Sequence, residues 1–339
     1  MGGISFPPPQ EDRLKRGKVD RDYGDSVRSQ VKEGRRQSTP KAKEVAAKER
    51  CGAGRMISQH QERKRPIAES LSPSWTSAGR GAKRSFWADA VLDERLAPHL
   101  KNAVGLGFRV RTRVVGPEQD LVDQFLSTQE FHLPPGRQLT VIPHPAVETG
   151  FPDLVAVVWR PSTTRNWKRE RLALLPQDIQ LLHLLSSAGW ADRSFLSTLF
   201  PRGFRQSIDR LVAADLLIVG ATKCRSRSLK HTFAVEQIIA VEAKVTWWRR
   251  AVEQARNNLW FSSESHVLLP EKRSIGALVA EIETLGIGVL GQLTADTNLH
   301  KEPEIHLHKE PEIQRVPASY GSWLFNEWVW RIAVHQEQV

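Results

Sequence analysis

The sequence predicts an α/β fold, a central mixed sheet flanked by helices, with a second and mostly helical unit set into it. Three observations predict this. Apolar runs of strand length, residues 154–159 and 238–245, alternate with stretches of helical periodicity. Both runs carry charge at one end, Asp153 on the first and Glu242 with Lys244 on the second. The 89 positions from Asp153 to Glu242 hold helix and strand patterns of their own, so they are an inserted unit rather than a loop.

Residues 1–80 read as a disordered basic tail. They hold 18 of the 49 Lys/Arg and 10 of the 38 Asp/Glu, so +8 of the net +11 lies there, and they show almost no apolar periodicity. Such a tail adds unspecific affinity for nucleic acid. Residues 81–160 form the first part of the core. A helix starts at Gly116-Pro117-Glu118, with Leu121, Val122 and Phe125 at i+3, i+4 and i+7 from Glu118. Gly150-Phe151-Pro152 then turns the chain into Asp153 and the apolar strand.

Residues 161–236 are the insert. A helix begins at Leu175-Pro176-Gln177-Asp178 and stops at Gly189, with Ile179, Leu182, His183 and Leu185 on its apolar face; His183 is read as a core histidine. Short helices follow over 192–201 and 204–215. Then come a strand over 216–220, a basic loop over 223–230 and a return strand over 231–235. Residues 237–295 complete the core with the Glu242 strand, a helix over 247–258, a strand over 266–270, a helix over 275–285 and a strand over 286–290. Residues 296–318 read as a linker containing a tandem repeat: 299–306 and 307–314 match at seven of eight positions. His300, His306 and His308 are metal-ligand types, but two short copies read as a duplication in a solvated linker. Residues 319–339 are an aromatic C-terminal segment, with Trp323, Phe325, Trp328 and Trp330 expected to pack on the core.

The charged strand ends carry the chemistry. Burying a charge costs several kcal/mol or more unless it is paired or metal-bound. Side chains in a strand alternate faces, so Glu242 and Lys244 point the same way. If the two strands pair, Asp153 and Glu242 share a divalent cation, and all-oxygen ligands suit Mg2+ or Mn2+. Lys244 then lies beside the metal-bound water.

Pro152-Asp153 followed by Glu242-Ala243-Lys244 resembles the PD-(D/E)xK nuclease superfamily, which includes restriction endonuclease-like and RecB-like domains. The order of elements after Lys244 is similar, and Gln254-Ala255 resembles a pair found on the helix that follows the ExK strand in related families. The resemblance implies a restriction endonuclease-like core and metal-dependent phosphodiester hydrolysis. It implies Asp153 and Glu242 as metal ligands, Lys244 as the group that orients water, and Gln254 in support. Glu118 corresponds to a helix glutamate that joins the metal site in many members, with Glu148 a weaker candidate; the competing reading of Glu118 is a first-turn acid facing the helix dipole. The long gap between the two motifs departs from the family pattern.

The insert resembles a winged helix-turn-helix, with Asp215 where glycine is usual after the third helix. Arg202, Arg205, Arg210, Lys223, Arg225, Arg227 and Lys230 then fall on the recognition helix and wing, where DNA phosphates are met. A protein-docking or dimerisation module is the competing reading of that unit. For the whole chain the alternative is a non-catalytic DNA-binding regulator on a degenerate nuclease scaffold. Two cysteines, Cys51 and Cys224, exclude a disulfide framework. No apolar run approaches the roughly 20 residues of a membrane span, and the N-terminus lacks a signal-peptide core. A cytoplasmic protein with DNA as partner and no membrane partner is expected, with a homodimer left open.

Overall fold

The computed structural model describes residues 75–77, 104–112, 114–131, 133–271, 275–293 and 304–337. Nearly all of the tail lies outside the described residues. Residues 75–77 do not: β1 (Trp75–Ser77) pairs antiparallel with β2 (Gln129–Phe131).

The centre is a six-stranded mixed sheet. It contains β3 (Gln138–Pro143), β4 (Leu154–Trp159), β8 (Val235–Ala243), β9 (Glu264–Pro270), β10 (Gly288–Leu293) and β11 (Glu304–Lys309), in the order β11-β10-β9-β8-β4-β3. The neighbours β3/β4, β4/β8 and β10/β11 are antiparallel, while β8/β9 and β9/β10 are parallel. Strands β4 and β8 are neighbours despite the long sequence between them. Their apolar runs are buried on both faces, as central strands must be.

One face of the sheet packs on α1 (Pro117–Thr128). Its Leu121, Val122 and Phe125 meet Leu154, Ala156, Ile239, Val241 and Ala243. On the other face Val267, Leu269 and Val289 meet α7 (Trp248–Asn258) and α8 (Ile275–Glu281). Val155, Val157, Ile238 and Ala240 share a third cluster with α9 (Tyr320–Gln336).

Between β4 and β8 the chain forms α2 (Pro161–Thr164), a 3-10 turn (Arg169–Ala173), α3 (Pro176–Ala188), α4 (Arg193–Leu199), α5 (Phe204–Ala213) and α6 (Leu229–Thr232). A small sheet of β5 (Ala191–Asp192), β6 (Leu217–Val219) and β7 (Lys223–Ser226) completes it in the order β5-β7-β6. Here the structure corrects the sequence reading. The hairpin partner of β6 is 223–226, not 231–235. Residues 223–226 alternate exposed Lys223 and Arg225 with buried Cys224, so a run that reads as a basic loop is a half-buried strand.

The insert also shares a core with the rest of the chain. Ile179, Leu182, Leu185, Ile208 and Leu211 belong to the same apolar cluster as the sheet residues Val155 and Val157 and the α9 residues Trp323, Phe325 and Trp328. Helix α9 is buried from Gly321 to Ile332, which a helix reaches only when it is packed on all sides. Ser319 caps it by accepting from the Gly321 amide at 3.1 Å. Its aromatic rings meet neighbours at right angles or stacked, Phe108–Trp328 at 5.3 Å and Phe261–Phe325 at 5.2 Å.

A buried polar network locks this junction. The Arg171 guanidinium pairs with Glu327 and donates to the Thr232 carbonyl at 3.1 Å. Arg331 donates to the carbonyls of Val104 and Arg171, at 2.7 and 2.6 Å, and Asn326 accepts from the Ala234 amide at 2.7 Å. A second correction concerns the tandem repeat. Residues 304–309 are not linker but the edge strand β11, because Ile305 and Leu307 alternate with polar residues and Ile305 packs on the core.

Candidate active site

The β4/β8 register runs through Leu154 opposite Val241. One step further along it sets Asp153 opposite Glu242. Opposed residues of an antiparallel pair share a face, with Cβ atoms about 5 Å apart. Asp153 is anchored there by the Ala243 amide, which donates to its Oδ2 at 2.8 Å.

Lys244 follows the last residue of β8, and its own amide donates to the Leu268 carbonyl. Its Nζ lies 3.2 Å from Glu118 Oε2 and 3.5 Å from Asp153 Oδ2, and donates to the Ala243 carbonyl at 2.8 Å. Glu118 reaches the end of the sheet because it stands in the first turn of α1, which Gly116 and Pro117 start. Three sequence-predicted residues, Glu118, Asp153 and Lys244, therefore meet.

Glu242 is 2% exposed. Its Oε1 accepts from Asn258 Nδ2 at 2.7 Å, and its Oε2 has no hydrogen-bond partner among the described residues. Burial, reinforced by the negative charge of Asp153, pushes the Glu242 carboxyl up to about 8; Asn258 and Lys244 pull the other way. A buried acceptor left without a donor is a place where a cation fits.

Gln254 departs from expectation. It sits one turn before Asn258 on α7, half-buried, and its Oε1 accepts no hydrogen bond; the amide that holds Glu242 is that of Asn258. Both residues lie on the sheet side of α7, with Ala251 and Ala255. Glu148 is exposed and near Tyr320, whose hydroxyl is pushed up by burial and secondarily by the Glu148 charge, so it is not part of the cluster.

Sequence reasoning missed His144. It follows β3, takes the left-handed region at φ 45°, and places Nε2 2.8 Å from Gln119 Oε1 and Nδ1 3.7 Å from Asp153 Oδ1. A lone histidine after a strand gives no sequence signal of this. Glu118, Gln119, His144, Asp153, Val245 and Thr246 border one open cleft of about 360 Å3. Trp247 was missed too. It is 78% exposed at φ 57°, a costly conformation for an aromatic residue, and precedes Trp248, Arg249 and Arg250.

The basic residues of the insert divide into two groups. Arg202, Arg205, Lys223, Arg225 and Lys230 are exposed, with Arg225 over the Trp190 ring at 5.0 Å. Arg210 is committed elsewhere. Its guanidinium makes bonds of 2.6 and 2.8 Å to the fully buried Asp178, which also accepts from the Leu175 amide at the start of α3. Asp178 needs that counter-charge, so Arg210 is part of the insert's internal structure. Arg227 pairs with Asp215 at 2.7 Å. Asp215 is itself left-handed at φ 59°, the conformation for which glycine is usual after a helix.

Among the described residues no helix is long and apolar enough to cross a membrane. Among the described residues one group of three ligand-type side chains has its donor atoms within 4.8 Å of one another, Glu271 after β9 with His306 and His308 on β11. Comparison with family models, with curated proteins and with solved structures returns no match for this chain.

Proposed function

We propose that this chain is a metal-dependent DNA endonuclease, a restriction endonuclease-like core whose inserted unit is a winged helix that contacts DNA. The observation that carries the reading is the Lys244 ammonium held between Glu118 and Asp153, with Glu242 opposite Asp153 and one of its oxygens accepting no hydrogen bond. Asp153 and Glu242 offer the hard oxygen donors that Mg2+ or Mn2+ takes, and would hold the ion. When bound, such an ion supplies Lewis acidity and lowers the pKa of a coordinated water. Lys244 orients the attacking water and offsets charge gathering on the phosphate. Asn258 fixes the Glu242 carboxylate, and the Ala243 amide fixes that of Asp153. Glu118 sets the position of Lys244, and Gln254, one turn before Asn258 on α7, supports the site. Trp247 with Arg249 and Arg250 presents a stacking and phosphate-binding surface beside the site.

A second reading is a DNA-binding regulator on a catalytically silent scaffold. The observation that favours it is the same ion pair: Lys244 already satisfied by Glu118 and Asp153 is also what a purely structural salt bridge provides. Cleavage separates the two readings, because both bind DNA.

Binding is tested on the exposed basic residues. Changing Arg202, Arg205 and Arg225 together to Gln weakens DNA binding and flattens the log–log salt dependence by roughly one unit per lost phosphate contact. Cleavage at high protein concentration persists. An unchanged salt titration would assign the insert to protein docking instead.

A further inference from the structure

We propose that Glu271, His306 and His308 form a zinc-class metal site that staples the edge strand β11 to the end of β9. The β11 register shifts by one residue between its 290/307 and 289/309 pairs, and the His306 and His308 rings lie 6.1 Å apart, both beside Glu271. They come from the two sides of the repeat seam: His306 ends the first copy and His308 is the second residue of the next, where Gln314 replaces the histidine at the end of copy two. The duplication thus creates a His-Leu-His pattern that neither copy holds alone. Glu271 follows Pro270 at the end of β9 and is tied by its amide to the Gln292 carbonyl of β10. It reaches across β10 to both rings, with Oε2 2.8 Å from His308 Nε2 and 3.7 Å from His306 Nδ1. Ligand atoms about 2.0–2.1 Å from a tetrahedral zinc ion lie roughly 3.3 Å apart, inside that interval.

Two further features suit an ion. His306 Nε2 lies 3.5 Å from Glu304 Oε2, so a carboxylate holds the ring by the nitrogen that faces away from Glu271, as metal-bound histidines are commonly held. Residue 291 of β10, opposite His306, is glycine, and a Cβ there would overlap Glu271 Oε2 and the His308 ring. The missing side chain is the space in which the three ligands meet. Two imidazoles and one carboxylate select zinc-class ions over Mg2+ and leave a fourth position to water. Its histidines lie on β11, three strands from β8, and Glu271 follows β9, the neighbour of β8; the site uses neither Asp153 nor Glu242.

The test is calorimetric titration of the chelator-treated full chain with ZnCl2, alongside Co2+ absorption spectra. The expected result is one equivalent bound with micromolar or tighter affinity, tetrahedral Co2+ bands, and a rise in melting temperature. Affinity falls by about 100-fold in His306→Ala and His308→Ala and by about 10-fold in Glu304→Gln. Gly291→Ala keeps every ligand and displaces only flexible side-chain tips, so it loses the metal while the metal-free protein melts as the parent does. The Asp153→Asn/Glu242→Gln double variant keeps this equivalent. Absence of zinc uptake, uptake indifferent to both histidine substitutions, or loss of the equivalent in the double carboxylate variant would overturn the assignment.

Discussion

Replacing Arg171 by Met is expected to destabilise the chain by roughly 3–5 kcal/mol, the usual cost of leaving one member of a buried ion pair without its partner. Arg171 and Glu327 are both fully enclosed, and the guanidinium also stacks 3.3 Å from the centroid of the Trp167 ring. Without Arg171, Glu327 keeps among the described residues only Asn326 as a hydrogen-bond donor, at 3.1 Å. Replacing both partners, Arg171→Met with Glu327→Leu, recovers most of the loss because no charge is then stranded. Urea unfolding of the single and double variants measures this. The effect is large because the pair joins the insert to α9 and, through it, to the sheet. A single variant within about 1 kcal/mol of the parent would mean that the junction does not depend on this pair.

The second large effect is expected at Glu242. Its folded-state carboxyl titrates at about 8, while in the unfolded chain it returns to the usual carboxylate range. Between those values the folded protein holds a proton that the unfolded chain has released. The stability of the metal-free protein therefore falls as pH rises from about 4.5 towards 8 and levels off above, by an amount on the order of 5 kcal/mol from this group alone. Glu242→Gln keeps the oxygen that accepts from Asn258 and removes the ionisation. The variant should melt higher than the parent at pH 8.5 and like it near pH 4. Mg2+ should raise the melting temperature of the parent at pH 8.5 and leave the variant unmoved, since binding to the folded state alone is what stabilises. A variant that melts lower than the parent at pH 8.5 would contradict the buried-acid account. On the functional reading it is also inactive, so this position exchanges stability for chemistry.

Much of the sheet was legible because its signals are local. The unbroken apolar run 154–159, the helix start at Gly116-Pro117 and the face of Leu121, Val122 and Phe125 each lie within a dozen residues. Charge in an apolar strand was equally local, and it pointed to Asp153, Glu242 and Lys244. What stayed hidden depends on partners distant in sequence. Arg210 and Arg205 look alike on α5, and only the buried Asp178 on α3 separates them. Asn258 and Gln254 are one helical turn apart, and the packing of α7 decides which meets Glu242. His144 gains its place from the β3/β4 pairing. Helix α9 is apolar on nearly every side, so no periodicity reveals that it is enclosed between the insert and the sheet. Strand β11 was obscured by the repeat, whose copies share one pattern although 304–309 alone, among the described residues of the repeat, is paired in the sheet.

The central claim is that Asp153, Glu242 and Lys244 form a phosphodiester-cleaving site, and plasmid cleavage tests it most directly. Supercoiled DNA is incubated with the full chain and Mg2+ or Mn2+, beside Asp153→Ala and Lys244→Ala variants whose folding and DNA binding match the parent. The account predicts metal-dependent nicking or linearisation by the parent and a loss of at least 100-fold in each variant, the scale for removing a group that acts in the transition state. Equal cleavage by parent and variants, or a parent that binds DNA and cleaves with neither ion, would contradict it.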